Sequence, residues 1–300
     1  MNHSNSEPMY LHYFTQEKEF PFFIQEGFHD ETHKWHHHAD FIELTIVLEG
    51  NALHQINNSK TYFIKRGDVF AMADGVSHIF VDAQKLHICN IMFRMEDLVT
   101  NMPDLRMIPG FHALFIIEPY LGKTQEFQSC LKLNPHEFES VYPMIQLILQ
   151  EYNSQKPGRR TMVMSCFLML VTYLSRCYEL PPDLQEYPSS FSIARSVSFM
   201  EEHFRENHSV KELAELSNMS TRNFTRIFSD VYHITPKKYI LQQRLLSACK
   251  LLEDSRQTLS ITDIALNLGF SNSNYFTRLF HKTYGMTPSE YRYQKRLHQN

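Results

Sequence analysis

A stretch near the C-terminus, residues 210–292, contains the same helical unit twice. The copies match at an offset of 51 residues, and then at an offset of 52 after the second copy gains one residue in its turn. Such a repeat constrains the fold strongly, because each copy forms one supersecondary unit. The matching residues are Val210, Leu213 and Ala214 with Ile261, Ile264 and Ala265, and then Phe224, Thr225, Arg226, Phe228, Tyr232, Thr235, Pro236 and Tyr239 with identical residues at 276, 277, 278, 280, 284, 287, 288 and 291.

Each copy has the pattern of a helix-turn-helix unit. Apolar residues at helical spacing predict a first helix, and a short turn follows. Ser220 and Ser271 are suitable N-caps for the second helix. Gly269 suits a positive φ in the turn of the second copy. The two units are predicted at about 209–230 and about 260–283.

The second helix of each unit combines an aromatic face with a polar face. Side chains that exchange hydrogen bonds and carry little negative charge suit base edges and phosphates in a major groove. A solvated face on an ordinary helical domain is the competing interpretation, but both copies carry the same Thr-Arg pair. We therefore expect DNA contacts from Thr221, Arg222, Thr225, Arg226, Ser273, Asn274, Thr277 and Arg278.

A long helix from Pro236 to about Asp254 is predicted to join the two units. Proline suits the first turn of a helix, where its missing N–H has no intrahelical partner. A rigid connector would allow both reading helices to enter successive major grooves, about 34 Å apart.

The second copy resembles the DNA-binding domain of the AraC/XylS transcription regulators. The first copy departs from that pattern at His233, which occupies the position of Gly285. The resemblance implies a regulator, usually an activator and not an enzyme, that binds double-stranded DNA and RNA polymerase. It also implies a homodimer. The residues that carry it are Ile264 and Ala265, Gly269 and Phe270, Tyr275 and Phe276, Arg278, Phe280, Gly285, Thr287 and Pro288, and Tyr291 and Arg292.

The charge and the composition fit such a protein. Residues 191–300 carry 15 Lys and Arg against 10 Asp and Glu, whereas residues 1–190 carry 14 against 23, so nucleic acid is expected at one end. The longest apolar run, Met162–Leu174, is too short to span a membrane. Five cysteines without paired spacing fit free thiols in a reducing compartment. We therefore expect a cytoplasmic protein with no membrane span and no signal peptide.

Residues 32–95 have the pattern of a β-domain. Short β-rich runs alternate with turn residues, which predicts an antiparallel barrel. The predicted strands are Phe41–Leu48, Ala52–Ile56, Thr61–Ile64, Val69–Met72, His78–Val81 and Leu86–Phe93.

This β-domain contains a group of polar residues that could bind a ligand. His36 and His38 project to the same side of a strand, and Glu43 and His78 follow them. This spacing resembles the two cupin motifs, which implies a cupin-like barrel. Three histidines and a carboxylate are competent to bind a divalent transition metal through His36, His38, Glu43 and His78. In AraC-type regulators the resemblance implies a small effector instead, which would contact Trp35 and the same four residues.

Three further runs, at 36–43, 64–68 and 108–112, make the chain most similar to the rhamnose-responsive branch of the family. That similarity implies a carbohydrate effector. Two alternatives remain open. One is a metal-dependent cupin enzyme fused to a DNA-binding domain, and the other is a regulator that needs no effector.

Together these patterns predict an α+β multidomain protein. An arm and an effector-binding barrel are expected at 1–134, and a helical hairpin for dimerisation or packing at 135–180. The second helix of this hairpin is apolar on nearly all sides, so it is expected to be buried. A linker is expected at 181–190, and an all-α DNA-binding domain of two helix-turn-helix units at 191–300.

Overall fold

The chain forms two compact units, Met1–Ala194 (unit 1) and Arg195–Asn300 (unit 2). The computed structural model describes residues 7–15, 17, 19–30, 35–57, 61–95, 102, 104–123, 131–178 and 189–297. Most of the predicted linker, residues 181–188, and the first six residues of the predicted arm lie outside the described residues. None of the helices within these ranges is long and apolar enough to cross a membrane.

Unit 1 is built on one sheet, and its described part has eight strands in the order β1-β3-β7-β4-β6-β8. In addition, β2 pairs with β7, and β5 pairs with β4. Among the described strands within residues 32–95 the pairing is antiparallel, as predicted, and β1, which precedes that range, pairs with β3 in parallel. These two strands are not joined by a hairpin, because β2 lies between them in sequence and pairs elsewhere. The strands are β1 (Glu7–Met9), β2 (Phe22–His29), β3 (His36–His38), β4 (Ile42–Ile56), β5 (Thr61–Lys65), β6 (Asp68–Met72), β7 (Ser77–Phe93) and β8 (Leu131–Lys132).

Two long strands, β4 and β7, replace four of the predicted short ones. The prediction placed a strand end near Gly50, but β4 continues through it with register shifts between Val47 and Leu53. Gly50 has a φ of 73°, and a Cβ at this position would lie 2.1 Å from the carbonyl oxygen of Lys85. The turn signals therefore mark bulges in a continuous ladder rather than strand ends.

Helices cover part of unit 1, and one region of them, residues 109–123, was not predicted. Gly110 allows this region to approach the last long helix of the unit, since a Cβ at Gly110 would lie 2.0 Å from the carbonyl oxygen of Ser175. The helices are α1 (Pro109–His112), a π-helical turn (Ala113–Ile117), α2 (Glu118–Lys123), α3 (Pro135–Tyr152) and α4 (Arg159–Cys177), with 3-10 turns at Leu11–Tyr13 and Leu105–Met107.

The predicted helical hairpin is present as α3 and α4. Asn134 and Glu137 form a capping box at the start of α3. Within the single chain, α4 buries one face, and Met162 and Met169 are exposed outside that face. The buried residues of α4 are Val163, Cys166, Phe167, Leu170, Val171, Leu174 and Ser175.

Unit 2 is all-helical, as predicted, and its helix-turn-helix pairs are α6 with α7 and α9 with α10. Buried aromatic residues form its core, among them Phe224, Phe228, Phe276 and Phe280. The helices are α5 (Ser189–Glu202), which begins in unit 1, α6 (Val210–Leu216), α7 (Thr221–Tyr232), α8 (Pro236–Glu253), α9 (Ile261–Asn267), α10 (Ser273–Tyr284) and α11 (Pro288–Leu297).

The internal repeat is longer than the sequence suggested. The ring of Tyr239 lies edge-on to Phe228, and the hydroxyl of Tyr239 donates a hydrogen bond to Glu201. In the second copy, Tyr291 lies edge-on to Phe280 and donates to Glu253 at 2.6 Å. Glu253 follows Glu201 by 52 residues, the same offset. Helix α8 therefore closes the first copy with its N-terminal part and opens the second copy with its C-terminal part.

The caps and turns of the two copies are equivalent. Ser220 caps α7, as predicted, and accepts a hydrogen bond from the backbone N–H of Asn223. The predicted cap Ser271 is wrong, since Asn272 caps α10 and accepts from the backbone N–H of Tyr275 at 2.8 Å. The longer turn of the second copy shifts the cap by one residue, and Asn272 is the position equivalent to Ser220 at the offset of 52.

The turn after α7 keeps its shape despite His233. This histidine has a φ of 57°, and Gly285 at the equivalent position has a φ of 75°. Both residues therefore end their helices in the left-handed conformation. This conformation costs a non-glycine residue about 1 kcal/mol. His233 therefore destabilises the turn without changing its backbone conformation.

Candidate functional site

The eight residues predicted to contact DNA lie on two equivalent helices of 12 residues, α7 and α10. The opposite faces of these helices are buried through their phenylalanines. Of the predicted residues, Thr221, Arg222, Arg226, Asn274 and Arg278 are exposed, and Thr225, Ser273 and Thr277 are half-buried.

The arginines at equivalent positions have different surroundings. Arg226 donates to Asn223 at 3.1 Å and lies 3.4 Å from the carboxylate of Asp230 one turn later. At the offset of 52, Lys282 occupies the position equivalent to Asp230, four residues after Arg278. Helix α10 contains no acidic residue, so its electrostatic potential favours an anion more than that of α7.

Arg244 was not predicted from the sequence. It hydrogen-bonds to the loop before the first copy and to the turn within the second copy. It is buried on α8, and its guanidinium donates only to oxygen acceptors in loops of unit 2. A lone arginine among the apolar residues of a predicted helix was the available signal. Its acceptors are the carbonyl oxygens of Phe204 (2.7 Å), Glu206 (2.8 Å) and Gly269, and the Oδ1 atom of Asn207 (3.2 Å).

A second candidate site is a cluster of histidines in the sheet of unit 1. His36 and His38 lie on β3, and His36 pairs in register with His78 on β7. The ring centroids of His36 and His78 are 4.4 Å apart, and those of His38 and His78 are 5.2 Å apart. The structure therefore brings together the three histidines that the sequence singled out.

Glu43 and Trp35 have different places around this cluster. The carboxylate of Glu43 lies 3.5 Å from His38 Nε2 and accepts a hydrogen bond from the hydroxyl of Thr45 at 3.2 Å. Trp35 is half-buried and directly precedes β3. Phe41 stacks on His38 with ring centroids 4.7 Å apart.

His54 belongs to the cluster, and the sequence reasoning missed it. It is buried on β4, and its Nε2 atom lies 3.2 Å from Nδ1 of His78. The signal was its position in the predicted strand Ala52–Ile56, since it shares a face with two buried apolar residues.

Burial controls the charge of the cluster. Desolvation, with smaller effects of neighbouring histidines, lowers the pKa of His38 to about 3. Desolvation also lowers the pKa of His54 to about 3, and it lowers the pKa of His78 well below its ordinary value. Desolvation raises the pKa of Glu43 to about 7, against the opposing effect of the Thr45 hydrogen bond. The imidazoles of His38, His54 and His78 are therefore neutral at pH 7, and each can donate one hydrogen bond and offer one lone pair.

Two family models match the chain. The model described as AraC-like ligand binding domain matches residues 21–155, and the model described as Helix-turn-helix domain matches residues 213–294. Together they cover more than two thirds of the chain. The chain belongs to the AraC family. In this AraC-family chain the histidine cluster lies in the matched ligand-binding domain, and both α7 and α10 lie in the matched helix-turn-helix domain.

Similar proteins cover most of the length of this AraC-family chain. The HTH-type transcriptional activator RhaS of Escherichia fergusonii is 27% identical over 256 residues, which are 85% of this chain and 86% of that protein. The HTH-type transcriptional activator RhaR of Mannheimia succiniciproducens is 26% identical over 281 residues, 93% of this chain and 94% of that protein. The DNA-binding domain of AdpA, solved in complex with a target DNA, is 31% identical with a TM-score of 0.34 and covers 36% of this chain and 95% of that domain.

Proposed function

We propose that this chain activates transcription by binding duplex DNA through α7 and α10, under the control of a small effector bound by unit 1. The equivalence of α7 and α10 carries the proposal. Each helix buries its phenylalanines and presents an exposed arginine, Arg226 or Arg278, on the opposite face. The names of RhaS and RhaR as transcriptional activators support it.

The two arginines should contribute unequally to DNA binding. Arg226 must give up its interaction with Asp230 before it can contact a base or phosphate, and the carboxylate of Asp230 repels phosphates. Arg278 has Lys282 at the matching position, which attracts them. Phosphate contacts supply much of the affinity and make it dependent on salt.

We expect Arg278→Ala to weaken specific DNA binding by about 1–3 kcal/mol, the value of a bidentate contact to guanine. Asp230→Asn is expected to tighten binding, because it frees Arg226 and removes a negative charge. The measurement is a gel-shift titration with duplexes that the wild-type protein has selected from a random library. Arg66→Ala, at an exposed arginine between β5 and β6 in unit 1, is the matched control and should leave affinity unchanged. Equal affinity of the Arg278→Ala protein and the wild type would remove α10 from the proposed interface.

The proposed effector is a carbohydrate. Neutral imidazoles next to Glu43 can exchange hydrogen bonds with hydroxyl groups, and aromatic residues such as Trp35 can cover an apolar sugar face. The similarity to RhaS and RhaR supports this class of ligand.

A matching sugar should raise the Tm of unit 1. At a sugar concentration about 100 times Kd, binding stabilises the native state by about 2.7 kcal/mol. This corresponds to a shift of several degrees for a unit of this size. Fluorescence follows unit 1 specifically, because Trp35 is the single tryptophan of the chain. A panel of hexoses and deoxyhexoses should contain one active compound whose mirror image is inactive, and a panel without any shift would argue against a sugar effector.

The proposal also includes two protein partners, a second copy of this chain and RNA polymerase. The helices α3 and α4 expose the apolar side chains of Tyr142, Leu147, Met162 and Met169, which are suited to a homodimer interface. The DNA-bound protein is proposed to contact RNA polymerase. The proposed bounds of the effector-binding and DNA-binding domains are those expected from the sequence, with the linker at 181–190.

A further inference from the structure

We propose that unit 1 binds an extended peptide segment of a partner protein in a groove between strand β2 and helix α3. The groove is open to solvent and has a volume of about 620 Å³. The peptide adds a strand to the free edge of β2. This partner is separate from the DNA, the effector and the second copy of the chain in the proposed function, so the inference holds whichever of those is correct.

The groove runs along the edge of a strand. One of its walls consists of four consecutive residues of β2, residues 23–26. Successive side chains of a strand point to opposite faces of the sheet, so a cavity that touches all four residues lies at the strand edge. Tyr152 lies at the same edge, because its ring centroid is 6.1 Å from that of Phe22 and 6.0 Å from that of Phe23. The groove therefore exposes the backbone of β2 to a ligand.

The backbone groups on this edge are available for pairing. Among the described strands, β2 pairs with β7 alone. In an antiparallel ladder, every second residue directs its N–H and C=O groups away from the partner strand. Within the described part of the chain, no further hydrogen bond between backbone groups involves residues 23–28. An extended peptide presents N–H and C=O groups at the matching spacing, and peptides add strands to free sheet edges in this way.

Helix α3 forms the opposite wall and limits what can enter the groove. The wall is one face of the helix, because its lining residues are three and four positions apart. A second β2 could not pair with this edge, since its own α3 flanks the same edge and would collide with the first helix. A segment without such a helix fits. The lining residues on this face are Gln146, Leu149, Gln150 and Asn153.

The two ends of the groove define its length and its preference. Tyr152 lies at the end near Phe23, and at the other end Gln146 donates a hydrogen bond to Glu26 at 2.8 Å. Three steps of about 3.3 Å along β2 and seven of about 1.5 Å along α3 each give roughly 10 Å, so the groove contacts about four residues of an extended peptide. Glu26 carries a negative charge, and the described lining contains no cation. We therefore expect a lysine or arginine of the peptide near Glu26 and an apolar residue near Tyr152.

A peptide selected on the full chain tests the proposal. A random heptapeptide library displayed on phage is selected against the wild-type protein, and the enriched peptide is synthesised with a fluorescent label for anisotropy titrations. Each backbone amide of the peptide is then N-methylated in turn. Strand addition predicts a two-residue period. Methylation of an amide that faces β2 should weaken binding about 10-fold or more, whereas methylation of the next amide should change it by less than about threefold.

Variants of the chain test whether the peptide lies in the groove. Gln150→Phe, at an exposed position of α3, should obstruct the groove and weaken binding about 10-fold. Glu26→Gln should weaken the binding of a peptide that carries a cation by about 2–5-fold. Glu49→Gln is the matched control, because this exposed glutamate lies on β4, which is separated from β2 by β7, and it should bind the peptide like the wild type.

The proposal is overturned if the selection enriches no peptide, if N-methylation shows no two-residue period, or if Gln150→Phe binds the peptide as tightly as Glu49→Gln. It is also overturned if the peptide dissociates a dimer of the full chain in analytical ultracentrifugation, because the groove would then be a surface between two copies. The gel-shift titration of the same samples reports DNA binding separately.

Discussion

Arg244→Met is expected to lower the free energy of unfolding of unit 2 by about 4 kcal/mol. A hydrogen bond to a charged group contributes about 1.5–3 kcal/mol, and a buried acceptor left unpaired costs about 1–3 kcal/mol. Methionine retains much of the packing but donates no hydrogen bond, so the acceptors around Arg244 lose their partner. The carbonyl of Gly269 is affected most directly, because Gly269 lies in the tight turn of the second copy with a φ of 82°.

Urea unfolding measures this effect. Far-UV circular dichroism follows all the helices, whereas the fluorescence of Trp35 follows unit 1 and should not change. Arg256→Met is the matched control, since the Arg256 side chain is 90% exposed and surface substitutions usually change stability by less than about 0.5 kcal/mol. A loss below about 1 kcal/mol for Arg244→Met would show that the guanidinium contributes little to the fold.

Acid is expected to destabilise unit 1 of the metal-free protein by about 3 kcal/mol between pH 7.5 and pH 5.5. His112 is buried and has a pKa of about 3 because of desolvation, as do His38 and His54. In the unfolded chain a histidine has a pKa of about 6.5. Each buried histidine therefore stabilises the fold fully above pH 6.5 and loses about 1.4 kcal/mol by pH 5.5, because only the unfolded state takes up the proton.

Glu43 acts in the opposite direction. Its pKa rises from 4.5 to about 7 on folding, so the native state takes up a proton first and gains about 2 kcal/mol as the pH falls to 5.5. The lowered pKa of His78 adds a further loss, and the histidines outweigh Glu43.

The pH dependence can be measured through Trp35 fluorescence in urea titrations at pH 7.5, 6.5 and 5.5, with a chelator present. His37→Gln, which changes a half-buried neighbour of the cluster, should leave the dependence intact. Stability that stays constant or rises toward pH 5.5 would contradict the assignment of neutral buried imidazoles.

The sequence predicted best what depends on neighbours in the chain. Apolar spacing and capping residues identified the helices of both copies, and Ser220 begins α7 as expected. The family and the two kinds of domain are also confirmed. The strand end predicted near Gly50 was wrong, because a glycine with positive φ also occurs in a β-bulge. The N-cap predicted at Ser271 was wrong, because either of two adjacent polar residues can cap a helix.

Contacts between distant segments were not predictable in the same way. Nothing local to His54 indicates that it will meet His78, since the pairing depends on the register of β4 against β7. Arg244 likewise obtains its acceptors from loops about 25 to 40 residues away. Only the sheet and the packing of unit 2 create these neighbours.

Helix α8 belongs to both copies of the repeat, and this limits how the protein can evolve. A chain cut before Pro236 would leave Phe228 without the edge-on ring of Tyr239, and a chain starting after Pro236 would retain Arg244 without Phe204 and Glu206. The two copies therefore cannot be exchanged between relatives as separate cassettes. If α7 and α10 read DNA as proposed, we expect new target preferences to arise from substitutions on the exposed surfaces of these helices or from exchange of unit 2 as a whole.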